Sequence, residues 1–162
     1  MLDSDAEKMT PIDIATRKCG TLIAAGPHPV ALAITPDGQT AYVANFSDGA
    51  LTPVSLPGGT AAEPIPAGRS PFAVAITPDQ HTTYVANYMS SVVTPVDLRT
   101  STRRKRMKVG KNPYAITITS DGGTAFVANY SDRTVTPIDL DTETSGAPIR
   151  VGNRPAAIAL TG

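Results

Sequence analysis

The sequence has one cysteine, no tryptophan, no excess of either charge and no long apolar run. Each shortage removes a class of protein. Cys19 alone leaves no intramolecular disulfide framework and no multi-cysteine metal site, and it reads as a small or buried structural residue rather than a catalytic thiol. Lys+Arg and Asp+Glu both total 14, so no global field draws nucleic acid, and a nucleic-acid partner is not expected. No run approaches the ~20 apolar residues of a membrane-spanning helix. The opening MLDSDAEKMT is acidic and polar, unlike a signal peptide. The expectation is a soluble chain without a membrane span. The i, i+3, i+4, i+7 apolar pattern of an amphipathic helix is missing from every window.

What is plentiful is Thr, Ala, Gly and Pro, a composition that suits short strands joined by tight turns. The prolines are not scattered. Pro11, Pro53, Pro95 and Pro137 each stand 42 residues after the last, inside MTPIDI, LTPVSL, VTPVDL and VTPIDL. Pro29, Pro71, Pro113 and Pro155 keep the same step, as do Gly26, Gly68, Gly110 and Gly152, and Asn45, Asn87 and Asn129. Several independent markers in one register establish an internal repeat.

One unit, Arg69 to Gly110, contains four strand candidates: A at Phe72–Thr77, B at Thr83–Asn87, C at Val92–Leu98 and D near Lys105–Val109. Four antiparallel strands in 42 residues match one blade of a β-propeller, where about 40–45 residues per blade is usual. The predicted fold is therefore all-β: a propeller of 42-residue blades, three of them complete, with partial blades at both ends. Residues 1–26 supply strands C and D of a partial blade. Blades follow at 27–68, 69–110 and 111–152, and 153–162 is strand A of a further one. Proline inside strand C has no N–H for a neighbour. The expectation is that Pro11, Pro53, Pro95 and Pro137 turn that missing donor toward strand D, at a bulge or an unpaired point, and leave the B–C ladder whole.

The B strands read AYVAN (Ala41–Asn45), TYVAN (Thr83–Asn87) and AFVAN (Ala125–Asn129). With AITPDG-like turns before them and D-L-type strands after, they resemble the YVTN family of β-propeller repeats, best known from archaeal surface-layer proteins. Ala replaces Thr in the tetrad, and strand C carries Thr-Pro. The resemblance implies export or a cell-surface location. Related propellers include lactonases and streptogramin-lyase-like enzymes, so an enzyme fragment of that kind is the alternative to a scaffold. An incomplete ring leaves three explanations: the remainder of a longer propeller, a homo-oligomer that completes the ring, or a strained four-bladed monomer, with the first two expected because an open arc exposes apolar faces and unpaired edges.

Residues that recur in every blade hold the blade, so Asp37, Asp79 and Asp121 are expected in turn duty and Asp13, Asp97 and Asp139 at the end of strand C. No catalytic, cofactor-binding or metal-binding set is expected. His28 and His81, the two histidines, fall in turns at opposite ends of a blade, and no G-x-S-x-G elbow or phosphate loop is present. Candidate binding residues are those that break the repeat. The D–A and B–C loops share one face, where His28, Phe46, Asp48, Arg69, Tyr88, Met89, Lys111, Tyr130, Arg133 and Arg154 form a candidate interaction face for a protein or small ligand. A second candidate is the basic run Arg103, Arg104, Lys105 and Arg106, read either as edge protection or as contact with an acidic polymer.

Overall fold

The computed structural model describes residues 1–161, and Gly162, the last residue of the predicted terminal strand, lies outside the described residues. Every regular element among the described residues is a strand. Strands β1 (Leu2–Asp3), β2 (Lys8–Met9), β3 (Ile12–Asp13), β4 (Lys18–Cys19) and β5 (Ile23–Ala24) form an incomplete first unit. Three five-stranded sheets follow. They comprise β6 (Pro29–Ile34), β7 (Thr40–Asn45), β8 (Ala50–Ser55), β9 (Thr60–Ala61) and β10 (Ile65–Pro66); β11 (Pro71–Ile76), β12 (Thr82–Asn87), β13 (Val92–Asp97), β14 (Thr102–Arg103) and β15 (Met107–Lys108); and β16 (Pro113–Ile118), β17 (Thr124–Asn129), β18 (Thr134–Asp139), β19 (Thr144–Ser145) and β20 (Ile149–Arg150). In each sheet strands A, B and C pair antiparallel in sequence order, as a propeller blade requires.

Strand D differs from the expectation. It is two short pieces rather than one strand, and proline is the reason. The β12–β13 ladder runs unbroken from Thr82↔Asp97 to Asn87↔Val92, with Tyr84 opposite Pro95. On the outer side Pro95 accepts from Arg104 N–H at 2.8 Å but has no N–H to return, so the second bond of that pair is lost. Between Val96↔Arg103 and Val93↔Met107, two residues of strand C face three of strand D, and the chain bows out over Arg104–Arg106. The same single bond reaches Pro11 from Gly20, Pro53 from Ala62 and Pro137 from Gly146. In the first unit the interruption splits strand C as well, into β2 and β3.

Two features lie outside the expected strand plan. β1 occupies the register of the last two B residues, with Asp3 at the position of Asn45, so the first unit carries a stub of strand B. Residues 155–161, read from the sequence as strand A, form no ladder among the described residues. Cys19 is exposed at the β3–β4 hairpin rather than buried.

Consecutive sheets pack face to face through three apolar clusters that repeat one another. Tyr84, Val93 and Met107 of the β11–β15 sheet meet Val127 and Ile138 of the next. Tyr42, Leu51 and Ile65 meet Val85 and Val96 in the same register. Met9 and Ile23 meet Val43 and Val54. Strands B are the most buried, whereas strands A are half-buried along the inner edge. Among the described residues, the third cluster holds no aromatic counterpart of Tyr42 and Tyr84. A cavity of about 360 Å³ stands there, lined by Met9, Ile23, Leu32, Ile34 and Leu56 among others.

The recurring asparagine joins strand B to strand C, and at Asn45 it also reaches the preceding unit. Asn45 Nδ2 donates to Ala25 O of the preceding unit at 2.7 Å, while Thr52 Oγ1 of strand C donates to Asn45 Oδ1 at 2.7 Å. Asn87 and Asn129 meet Thr94 Oγ1 and Thr136 Oγ1 through Nδ2, at 2.9 and 2.8 Å. The recurring aspartates close turns. Asp13 and Asp139 each accept from the N–H and hydroxyl of a Thr three residues on, and Asp97 accepts from two backbone N–H groups.

Candidate interaction face

The D–A loops hold His28, Ser70, Asn112 and Arg154 in the left-handed region, with φ between 50° and 55°, although none is glycine. That conformation turns three of their carbonyls toward the start of the neighbouring B–C turn. Phe46 N–H donates to His28 O at 3.1 Å, Tyr88 N–H to Ser70 O at 3.0 Å and Tyr130 N–H to Asn112 O at 3.0 Å. One aromatic per sheet is thereby anchored at the same corner.

Strand A supplies the rings between these corners. Its pairing with strand B slips between Pro71 and Ala73, and again between Pro113 and Ala115. The residue at each slip, Phe72 or Tyr114, is released from strict in–out alternation, which is how a bulge re-aims a side chain. The result is a continuous ladder across all three complete sheets. His28 lies 5.7 Å from Phe46 between ring centroids, Phe46 6.3 Å from Phe72, Phe72 4.3 Å from Tyr114, and Tyr114 5.3 Å from Tyr130 in a stacked pair. Tyr88 braces both Phe72 and Tyr114, at 5.5 and 6.3 Å. Arg154 caps the far end with its guanidinium 5.9 Å from the Tyr130 ring centre, a cation–π contact.

Phe46, Phe72, Tyr88, Tyr114 and Tyr130 are half-buried against one another, and His28 is exposed. Among the described residues, the hydroxyls of Tyr88, Tyr114 and Tyr130 have no protein hydrogen-bond partner, so three phenol groups in series are available to a ligand. Polar groups frame them. Asn112 Nδ2 donates to Tyr88 O at 3.2 Å, Ser131 Oγ donates to Asn112 Oδ1 at 2.7 Å, and Asp132 Oδ2 accepts from Lys111 N–H at 2.7 Å. At the Arg154 end, Tyr130, Ser131, Arg133, Asn153 and Arg154 line a cavity of about 460 Å³.

Of the residues singled out in the sequence, His28, Phe46, Tyr88, Tyr130 and Arg154 are brought together in the ladder, and Arg133 joins its terminal cavity. Asp48, Arg69, Met89 and Lys111 are exposed on the same loops but outside the chain of rings. Phe72 and Tyr114 are absent from the sequence-based set because they sit within strand A. Their signal was a break in the repeat, where Val30 and Ala156 hold the equivalent positions.

The basic run is divided by the structure. Arg104, itself exposed, reaches from its own sheet to the next, 2.9 Å from Glu143 Oε1 and donating to Thr82 Oγ1 at 3.0 Å. Arg103, Lys105 and Arg106 are exposed on the outer rim. The loops at the opposite end are built for turn closure. Thr35, Thr77 and Thr119 hydroxyls donate to Asp37, Asp79 and Asp121 at 2.6, 2.5 and 2.5 Å. These bonds, followed by backbone N–H groups, hold the three carboxyls below the usual carboxylate range.

No protein-family model matches the chain, and no curated protein sequence does. Solved structures do resemble it. Kuenenia stuttgartiensis hydrazine synthase is 30% identical over 80% of this chain and 38% of its own, with a TM-score of 0.77. A functionally unknown protein from Desulfotomaculum acetoxidans DSM 771 aligns over 96% of this chain and 53% of its own, at 19% identity and a TM-score of 0.84. The WD40 repeats of RRP9 align over 80% and 41%, at 15% identity and a TM-score of 0.70. The chain thus spans between 38% and 53% of the length of these structures. Among the described residues, no helix is long and apolar enough to cross a membrane. What the strand order, the 42-residue period and these likenesses share is architecture: the chain is built as consecutive blades of a β-propeller.

Proposed function

We propose that this propeller is a non-catalytic interaction scaffold whose working surface is the aromatic ladder on the D–A and B–C loop face. The observation that carries the reading is the continuity of the ladder, from His28 through Phe72 and Tyr114 to Arg154. Fixed aromatic rings offer contact area at little entropic cost, and with Arg they dominate the energetics of known interfaces. The repeated loop geometry supports this, because each sheet presents its ring at the same corner whatever its other loop residues are. The YVAN-type B strands support placing the chain among YVTN-type repeat proteins, and with them an exported or cell-surface setting.

The test uses the tyrosines as reporters, since the chain has no tryptophan and Tyr42 and Tyr84 are buried. Peptide and glycan arrays are probed with the intact chain, and positives are titrated by tyrosine emission. Tyr114→Ala and Phe72→Ala are expected to weaken any specific binder at least tenfold. Binding that survives both changes unaltered refutes the assignment of the surface.

A further inference from the structure

Neighbouring units meet a second time at the outer rim. There the returning piece of strand D in one unit lies beside the first piece of strand D in the next: β5 beside β9, β10 beside β14, and β15 beside β19. The last of these junctions holds a groove of about 410 Å³. One wall is Lys105, Arg106 and Lys108 around the buried Met107, and the other is Thr142, Glu143, Thr144 and Ser145.

The groove owes its shape to Pro95 and its charge to a break in the repeat. Pro95 has no N–H to hold the chain between Val96↔Arg103 and Val93↔Met107, so Lys105 and Arg106 leave the ladder and stand exposed on the rim. Pro53 interrupts the sheet before it in the same register, but Glu63, Pro64 and Pro66 hold the positions of Lys105, Arg106 and Lys108 there. In the first unit those positions are Thr21, Leu22 and Ala24. Edge protection alone does not call for the charge. Proline blunts a sheet edge by itself, and Pro64 and Pro148 stand where this sheet has Arg106.

The charge is also uncompensated. Glu143, the one acid in the lining, is 2.9 Å from Arg104, and Lys105, Arg106 and Lys108 form no ion pair among the described residues. Opposite them stand three hydroxyls. Thr142 Oγ1 donates to Asp139 Oδ1, so it accepts from Thr144 Oγ1 at 2.8 Å and leaves the lone pairs of Thr144 free. We propose that this groove binds an anionic polysaccharide, with sulfate or carboxylate groups held by Lys105, Arg106 and Lys108 and sugar hydroxyls by Thr144 and Ser145. Ammonium and guanidinium groups make their strongest hydrogen bonds to such anions. Two other acidic polymers fit less well. Single-stranded nucleic acid is held by stacking as well as by charge, and no aromatic ring lines the groove. An extended acidic peptide draws affinity from pairing its main chain with a strand edge, and β15 and β19 are two residues long. The groove lies on the outer rim and the aromatic ladder on the loop face, so either proposal can fail alone.

Fluorescence anisotropy of an end-labelled heparin oligosaccharide tests it. The chain is expected to bind, and Lys105→Ser, Arg106→Ser and Lys108→Ser together to weaken binding at least about 100-fold, since each removes a charged contact. Lys8→Ser, Arg17→Ser and Lys18→Ser together remove the same charge from exposed sites elsewhere and are expected to change affinity less than about threefold. Thr144→Val with Ser145→Ala changes no charge and is expected to weaken binding about three- to tenfold. All these side chains are exposed, so each variant keeps its strand content by circular dichroism. An oligoglutamate and a single-stranded DNA of equal total charge are expected to bind at least about tenfold more weakly. Absence of heparin binding, equal losses from the two triple variants, no loss from the hydroxyl pair, or equal binding by the peptide or the DNA overturns the proposal.

Discussion

Asn45→Ala offers the sharpest measure of what joins one sheet to the next. Asn45 is fully buried, and its amide spans the gap between Ala25 O and Thr52 Oγ1, at 2.7 Å to each. Truncation orphans a buried carbonyl and a buried hydroxyl, at roughly 1–3 kcal/mol for each group. The Thr52 hydroxyl can rotate toward another acceptor, whereas the Ala25 carbonyl cannot, so the expected loss is about 3–4 kcal/mol. For a chain of this size that lowers Tm by roughly 6–16 °C. Urea unfolding of Asn45→Ala, Thr52→Val and the double variant gives the coupling. The double variant is expected to cost roughly 1–2 kcal/mol less than the two singles together, because the second change removes the group orphaned by the first. A cost below about 1 kcal/mol for Asn45→Ala, or strict additivity, would refute the view that this amide clasps neighbouring units.

Gly38 and Gly49 have nearly the same φ, 72° and 71°, but a Cβ meets nothing at Gly38 and lies 2.2 Å from Gly68 O at Gly49. Gly38→Ala is expected to cost about 1–2 kcal/mol of left-handed strain, and Gly49→Ala clearly more, as compared by thermal unfolding. Tyr114→Ala removes three ring contacts at about 0.5–1.5 kcal/mol each, so about 2–3 kcal/mol should be lost, well above the cost of His28→Ala with its single ring contact. The carboxyls of Asp37, Asp79 and Asp121 have lowered folded-state pKa values, chiefly through Thr35, Thr77 and Thr119 hydroxyls. Their contribution to stability is therefore present above the ordinary carboxylate pKa and lost as pH falls through the depressed values. Thr119→Val should move the Asp121 titration back up in NMR, and an unmoved titration would count against the hydroxyl as the main cause.

The repeat made most of this fold legible. Proline at one register position announced where the outer strand must give way, because a missing N–H is a covalent fact that no packing can restore. The length of strand D was not legible in the same way. Pro95 dictates that a bond is lost, but whether the neighbour ends or bows out and returns depends on apolar anchors such as Met107 and Val109 further along. The site was half legible. Phe46, Tyr88 and Tyr130 follow the recurring asparagine in plain view, whereas Phe72 and Tyr114 looked like strand A core until the bulge turned them. Alternation assigns a side chain to a face only while register holds, and a one-residue slip carries no mark in a single sequence.

The cavity beneath Ile34 bears on how the molecule comes apart. In a row of similar units, stability is approximately a sum of unit and nearest-neighbour terms, so the weakest junction sets where unravelling starts. At the junction between the first unit and the β6–β10 sheet, the strands of the first unit are two residues long and a cavity lies against them. The β11–β15 sheet is flanked on both sides by full clusters. Of the three junctions described, the one between the first unit and the β6–β10 sheet is therefore expected to open first. The aromatic ladder, braced by Phe72, Tyr88 and Tyr114 around the β11–β15 sheet, stays assembled while that junction opens.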